Sequence, residues 1–255
     1  MTTWALDLDG VLWTGKLPIP GSAEAVSRLL DRGHEVVFVT NNSFATVGEQ
    51  EAKLAAMGID APGRFISSAM AGATLVEPDE RVFVLGGPGI AEAVSARGAH
   101  LIEDTTSSPD GVDAVLVGLD WHLSYDRLRF AVQSVAGGAR FIATNTDPTY
   151  PTENGFYPGA GAIVASVAAA TGQQPIIAGK PHEPQADLVR ARFGSDGIMV
   201  GDRPETDGAF AVALGYRFGL VLSGVVSASD LPVEPTPDVV ADDLGSLVAT
   251  LDDNA

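Results

Sequence analysis

Asp7 and Asp9 close the apolar run WALDLD and are followed at once by Gly10. Successive side chains of a strand alternate faces, so these two carboxylates point the same way, about 6.6 Å apart at ~3.3 Å per residue. Like charges held that close repel unless a cation or a proton sits between them. An isolated Asp-x-Asp after a strand serves equally well as a helix cap or a solvated loop. The rest of the chain bears on the choice. Thr40, Asn41 and Asn42 end VFVTNN, Lys180 ends IIAGKP, and Asp202 ends MVGDRPETD with Asp207 five residues on. Each has a bland use as turn chemistry, a surface charge or a cap. Their recurrence in order at successive strand ends favours one shared site.

That site needs strands whose ends meet. WALDLD, EVVFVT, RVFVLGG, DAVLVGLD, RFIATN, QPIIAGK, GIMVGD, FGLVLSG and PDVVA read as strands buried on both faces. Helical patterns lie between them: TVGEQEAKLAAMG has Thr46 and Glu49 in capping-box spacing and stops at Gly58, and SYDRLRFAVQSVAGG runs from Ser124 to Gly137. Such alternation predicts an α/β protein with parallel sheets, and ligands of such sheets bind outside the carboxyl ends of the strands. Proline-marked seams at EPDE (77–80) and TGQQP (171–175) bracket a segment with its own strands and helices. The expected organisation is a core from 1–78 and 176–255 with a second domain inserted at 79–175. DRGHEVVFVTNN and AGGARFIATNT echo one another, as a recurring βα module or an old duplication would.

The chain has 255 residues and a formal charge of −18, which disfavours nucleic acid and anionic membranes as partners. An anionic ligand must meet locally reversed charge. No cysteine is present, excluding disulfides and thiolate chemistry and fitting a reducing cytoplasm. The first strand starts at residue 4, leaving no room for a secretory leader, and GAIVASVAAA is too short to span a bilayer. A soluble cytoplasmic protein is expected, and a homodimer is compatible with it.

DLDGV, TNN, GKP and GDRPETD together resemble the four motifs of the haloacid dehalogenase superfamily. The gap after Gly10 is too short for a cap domain, whereas the one between the second and third motifs holds one. With LGGPG, ATNTD and PGAGAI, that placement is similar to the small-molecule phosphatases with an α/β cap that act on nitrophenyl phosphate, phosphoglycolate, glycerol phosphate and pyridoxal phosphate. The resemblance implies a Rossmann-like core with an inserted cap, and a magnesium-dependent phosphatase acting on a small phosphorylated metabolite. Val11 stands where many members have threonine.

On that resemblance Asp7 is the nucleophile and forms an aspartyl phosphate. Asp9 protonates the leaving oxygen and then deprotonates water. Mg2+ takes Asp7, the backbone carbonyl of Asp9, and Asp202, with Asp207 behind them orienting metal-bound water. Thr40 and Asn41 bind phosphoryl oxygens, Asn42 shapes the loop, and Lys180 pairs with phosphate and Asp7. The 144–162 loop, with Asn145, Asp147 and Tyr150, matches the family's specificity loop. VLGGPGIAEA lacks the third glycine of a dinucleotide loop, and AGKP misses the P-loop pattern. The alternatives are a phospholigand-binding protein without turnover, and a dehalogenase or phosphonatase on the same scaffold.

Overall fold

The computed structural model describes residues 2–152 and 155–252. The chain forms two compact units, one of Met1–Thr40, Gly48–Ile66 and Lys180–Ala255, the other of Asn41–Val47 and Ser67–Gly179.

The first unit is built on a parallel sheet in the order Val239–Ala241, Arg217–Val221, Gly197–Gly201, Thr3–Leu6, Glu35–Thr40, Phe65–Ser67. Thr3–Leu6 is buried throughout, which explains a run without polar alternation. On one face Ala5, Val37, Val39, Met199 and Leu220 pack with Ala186, Val189, Phe210 and Leu214 from the helices Glu183–Phe193 and Ala209–Leu214. Leu6, Phe38 and Val200 are equally buried, as are Val26 and Leu29 of the helix Ser22–Asp31 and Leu247 and Val248 of Leu244–Asp252. Each such side chain contributes roughly 1.5–3 kcal/mol on burial. Glu35–Thr40, the next strand of this sheet in sequence, lies on one side of Thr3–Leu6 and Gly197–Gly201 on the other. Strand order therefore reverses at Thr3–Leu6, and the crevice of such a sheet opens at that point.

The second unit holds a parallel sheet in the order Ile176–Ile177, Arg140–Ala143, Ala114–Val117, Arg81–Leu85, His100–Ile102. Phe83, Val115, Val117 and Phe141 pack with Phe130, Ala131 and Val135 of the helix Tyr125–Ala136 and Val164 and Val167 of Ala160–Thr171. Ser124 caps Tyr125–Ala136 by accepting from the Arg127 N–H, and Gly137 ends it. The unit begins earlier than 79, with the buried helix Ser68–Ala73, and runs past 175. Ile176–Ile177, expected as a core strand, pairs instead with Ile142 and Ala143. Its two residues are half-exposed at a sheet edge, so neither burial nor length marked which sheet it would join. Most of the 144–162 segment is an antiparallel hairpin, Thr149–Thr152 with Gly155–Pro158; Glu153 and Asn154 lie outside the described residues. Gly89 donates its N–H to Phe44 O, and a Cβ there would meet Ala45 O at 2.2 Å. Gly87 and Gly89 of VLGGPGIAEA thus admit the unit's own 43–45 segment. No helix among the described residues is long and apolar enough to cross a membrane.

Candidate active site

Asp7 follows the central strand and keeps its register, donating its N–H to Val200 O at 2.9 Å. Lys180 Nζ lies 2.7 Å from Asp7 Oδ1 and 2.7 Å from Asp207 Oδ1, and it donates to Val39 O at 3.4 Å. Asp7, Lys180, Asp202 and Asp207 are all buried. Asp207 reaches the site because Pro204–Gly208 is a single π-helical turn. That turn folds Asp207 Oδ2 back onto the backbone N–H groups of Asp202 (3.2 Å) and Arg203 (3.1 Å). Gln185 was not foreseen. Fully buried, it accepts from the Lys180 N–H at 2.8 Å and donates to Thr40 O and Ile66 O. Its sole sequence signal is an amide on the inward face of the helix after GKP.

Three buried carboxylates around one ammonium leave the cluster two negative charges in excess. Burial alone would lower the Lys180 pKa, but Asp207 and Asp7 outweigh it and hold the ammonium above its usual range. Burial drives Asp7 well above the usual carboxylate range against the pull of Lys180, with Asp207 and Asp202 adding to the rise. Asp202 is pushed up to about 7, by burial first and Asp207 second. The pocket therefore retains protons in the absence of another cation.

The cluster fits a divalent ion. Asp7, Asp202 and Asp207 each bring an oxygen within 4.8 Å of the others. Asp202 Oδ1 is one of two buried side-chain polar atoms among the described residues without a hydrogen-bond partner, a state that costs about 1–3 kcal/mol or more for a charged group. Its Oδ2 accepts from the Val225 N–H at 2.7 Å. Space for this carboxylate is made by glycine: a Cβ on Gly10 would meet Asp202 Oδ2 at 2.4 Å, and one on Gly224 would meet it at 2.0 Å. Gly10 also has φ +85°, which disfavours any side chain. Asp207 already accepts three hydrogen bonds, so Asp7 and Asp202 are the residues with oxygen to offer. A hard cation with few protein carboxylates in its shell suits that donor set.

The Asp9 carboxylate stands apart from this cluster. It accepts from Trp13 Nε1 at 3.0 Å, and Trp13 belongs to a small hairpin, Trp13–Thr14 with Leu17–Pro18, that the sequence reading missed. Burial raises the Asp9 pKa, while Lys53 and the Trp13 hydrogen bond pull it back.

Thr40 is buried at the end of its strand. Asn41 and Asn42 fall in the second unit, and there they meet the three loop residues expected to touch substrate. Asn41 Nδ2 donates to the Asp147 carboxylate at 3.2 and 3.4 Å, and Asn42 Nδ2 to Tyr150 Oη at 3.4 Å. Asn145 Nδ2 donates to Asn41 O at 2.7 Å, while its Oδ1 accepts from the Asp147 N–H at 3.0 Å. Asn145 is buried, and each end of its amide makes a hydrogen bond to backbone, so it braces the loop. The two Thr-Asn echoes of the sequence thus meet in space. Tyr150 also packs edge-on against Trp121, whose ring meets Phe44 and Tyr157 in the same way.

Two family models match the chain: haloacid dehalogenase-like hydrolase over residues 4–100, and a HAD-hydrolase-like model over 177–247. The acid sugar phosphatase of Staphylococcus haemolyticus is 35% identical over 99% of this chain and 97% of its own length. The glycerol phosphate phosphatase of Mycobacterium tuberculosis, solved in complex with magnesium, superposes with a TM-score of 0.88 at 34% identity over 96% of this chain and 76% of that one. The p-nitrophenyl phosphatase of Archaeoglobus fulgidus superposes at 0.90 with 27% identity over 98% of both chains.

Proposed function

The chain belongs to the haloacid dehalogenase-like hydrolases and is a phosphatase, and we propose that it hydrolyses small-molecule phosphate monoesters, sugar and glycerol phosphates foremost, through a phosphoryl group carried on Asp7 with magnesium beside it. The observation that carries this reading is the buried Asp7–Lys180–Asp207 chain of 2.7 Å contacts next to the unpartnered Asp202 Oδ1. The sugar and glycerol esters are suggested by the relatives, an acid sugar phosphatase and a D-glycerol 3-phosphate phosphatase.

Asp7 and Asp202 would hold Mg2+, which when bound neutralises charge on the phosphoryl group and lets it approach an anionic nucleophile. The Asp7 carboxylate attacks phosphorus as the bond to the leaving oxygen breaks, and the Asp9 carboxyl gives its proton to that oxygen. Water then attacks the phosphoryl group, yields its proton to the Asp9 carboxylate, and releases inorganic phosphate with Asp7 restored. Lys180, steadied by Asp207 and by Gln185 at its backbone, fixes the rotamer of Asp7 and offers N–H to phosphoryl oxygens. Thr40 is assigned to the same oxygens, Asn41 and Asn42 to shaping the loop beyond it, and Asp147 and Tyr150 to selectivity. A hydrolysis screen over phosphoglycolate, glycerol phosphate, pyridoxal phosphate and sugar phosphates, with magnesium and with chelator, tests the reading. Turnover of none of them with magnesium overturns it, and turnover undiminished after exhaustive metal removal overturns the role of the ion.

A further inference from the structure

In the phosphatase reading Asp9 must deliver a proton in one half-reaction and take one in the other, so its carboxyl has to be aimed. We propose that Trp13 and Lys53 are the positioning residues of Asp9, and that they determine how well the enzyme handles esters whose leaving group needs that proton. The inference rests on the proposed function above.

Trp13 Nε1 donates to Asp9 Oδ1 at 3.0 Å, and among the described residues Asp9 Oδ2 makes no hydrogen bond. An indole N–H is a donor only. It can occupy Oδ1 but cannot accept the proton, so the transferable proton resides on Oδ2. Trp13 is 2% exposed and its hairpin is short, so the ring has little freedom to swing. Lys53, from the helix Val47–Ala56, locks it further. Its Nζ sits 3.6 Å from the ring centroid and donates to Gly15 O, at the tip of the same hairpin, at 3.1 Å. An ammonium over the ring face draws electron density toward itself and strengthens the indole N–H as a donor. Lys53 thereby acts on Asp9 through Trp13. None of these contacts involves the Asp7, Lys180 and Asp202 cluster, so the pair acts on the proton and leaves phosphate binding alone.

The test is leaving-group dependence. A nitrophenolate leaves without protonation, whereas an alkoxide does not, and kcat/KM reports the step in which that group departs. Trp13→Phe keeps an aromatic ring for Lys53 and deletes the N–H together with the pyrrole half of the indole. With magnesium present, we expect it to lower kcat/KM for glycerol 3-phosphate by 10- to 100-fold, within the range a general acid contributes, and to lower that for p-nitrophenyl phosphate less than about threefold. Lys53→Met, which keeps the stem, should show the same imbalance at a smaller size of about 3- to 10-fold, and it keeps the test open if Trp13→Phe fails to fold. Equal losses on both esters, or no loss on either, in a folded variant overturn the inference alone. A wild-type enzyme that hydrolyses neither ester overturns the proposed function and this inference with it.

Discussion

Lys180 Nζ sits 2.7 Å from Asp7 across 173 residues of sequence, and the same nitrogen is 2.7 Å from Asp207. One buried ammonium thus orients the proposed nucleophile and is itself oriented by Asp207, whose other oxygen accepts from the backbone N–H groups of Asp202 and Arg203. Removing it leaves carboxylates buried without their partner, a change that typically costs about 3–5 kcal/mol. Lys180→Ala should lower the melting temperature of the metal-free protein and depress kcat/KM by a similar factor for every ester, since the phosphoryl group is what all substrates share. Three chemically different esters suffice, and a reordering of them would refute the assignment.

Asp7→Asn should abolish turnover, by more than about 100-fold, because an amide is a poor nucleophile of nearly the same shape. The fold should not suffer. The exchange removes one of the negative charges that the pocket holds in excess, so the metal-free variant should melt no lower than the wild type. Hydrolysis above a few percent of wild type would exclude Asp7 as the nucleophile.

Metal binding should compete with protons. The folded-state pKa of Asp202, pushed up to about 7 from an ordinary 3.8, lies above its unfolded value. Its contribution to stability is therefore whole below about pH 4 and is lost as pH rises through 7. At pH 8 the metal-free protein carries an uncompensated buried carboxylate that a cation relieves. Thermal melts with and without magnesium should show a larger gain at pH 8 than at pH 5.5, and Asp202→Asn should lose most of that difference. Equal gains at both pH values would contradict the ligand assignment.

Asn145→Ala should act on stability first. It removes one hydrogen bond from Asn41 O, which keeps the one from the Ser68 hydroxyl, and one from the Asp147 N–H, at about 0.5–1.5 kcal/mol each. Tyr150→Ala, at a half-buried ring resting on Trp121, should instead alter the ranking among esters. Melting curves beside kcat/KM for three esters separate the two outcomes.

The α/β class and the polar strand ends were legible in the sequence, because both are local. A strand buried on two faces must be apolar along its length, and an aspartate at its end is visible as the break in WALDLD. The parallel-sheet rule served for Asp7, Thr40 and Asp202, which follow or end strands of one sheet, but the first strand stops at Leu6, so the two-residue count did not bring the Asp9 carboxylate into the cluster, and Lys180 follows a strand of the other sheet. What local pattern could not supply was partnership. Whether Ile176–Ile177 joins one sheet or the other depends on which edge is open, and two half-exposed residues carry no signal of that. The role of Gln185 depends on a helix face meeting Thr40 O across 145 residues. The bracing of Asn145, and the Trp13 and Lys53 contacts around Asp9, are hydrogen bonds and ring contacts whose energies depend on angstroms, and spacing along the chain does not measure those. Sequence determined which chemical groups stand at the strand ends, since residue type and strand period suffice for that. Tertiary structure alone decided which carboxylate oxygen is satisfied and which is left open at Asp202, because that is set by groups converging from Gly10 and from the neighbours Gly224 and Val225, two places far apart in the chain.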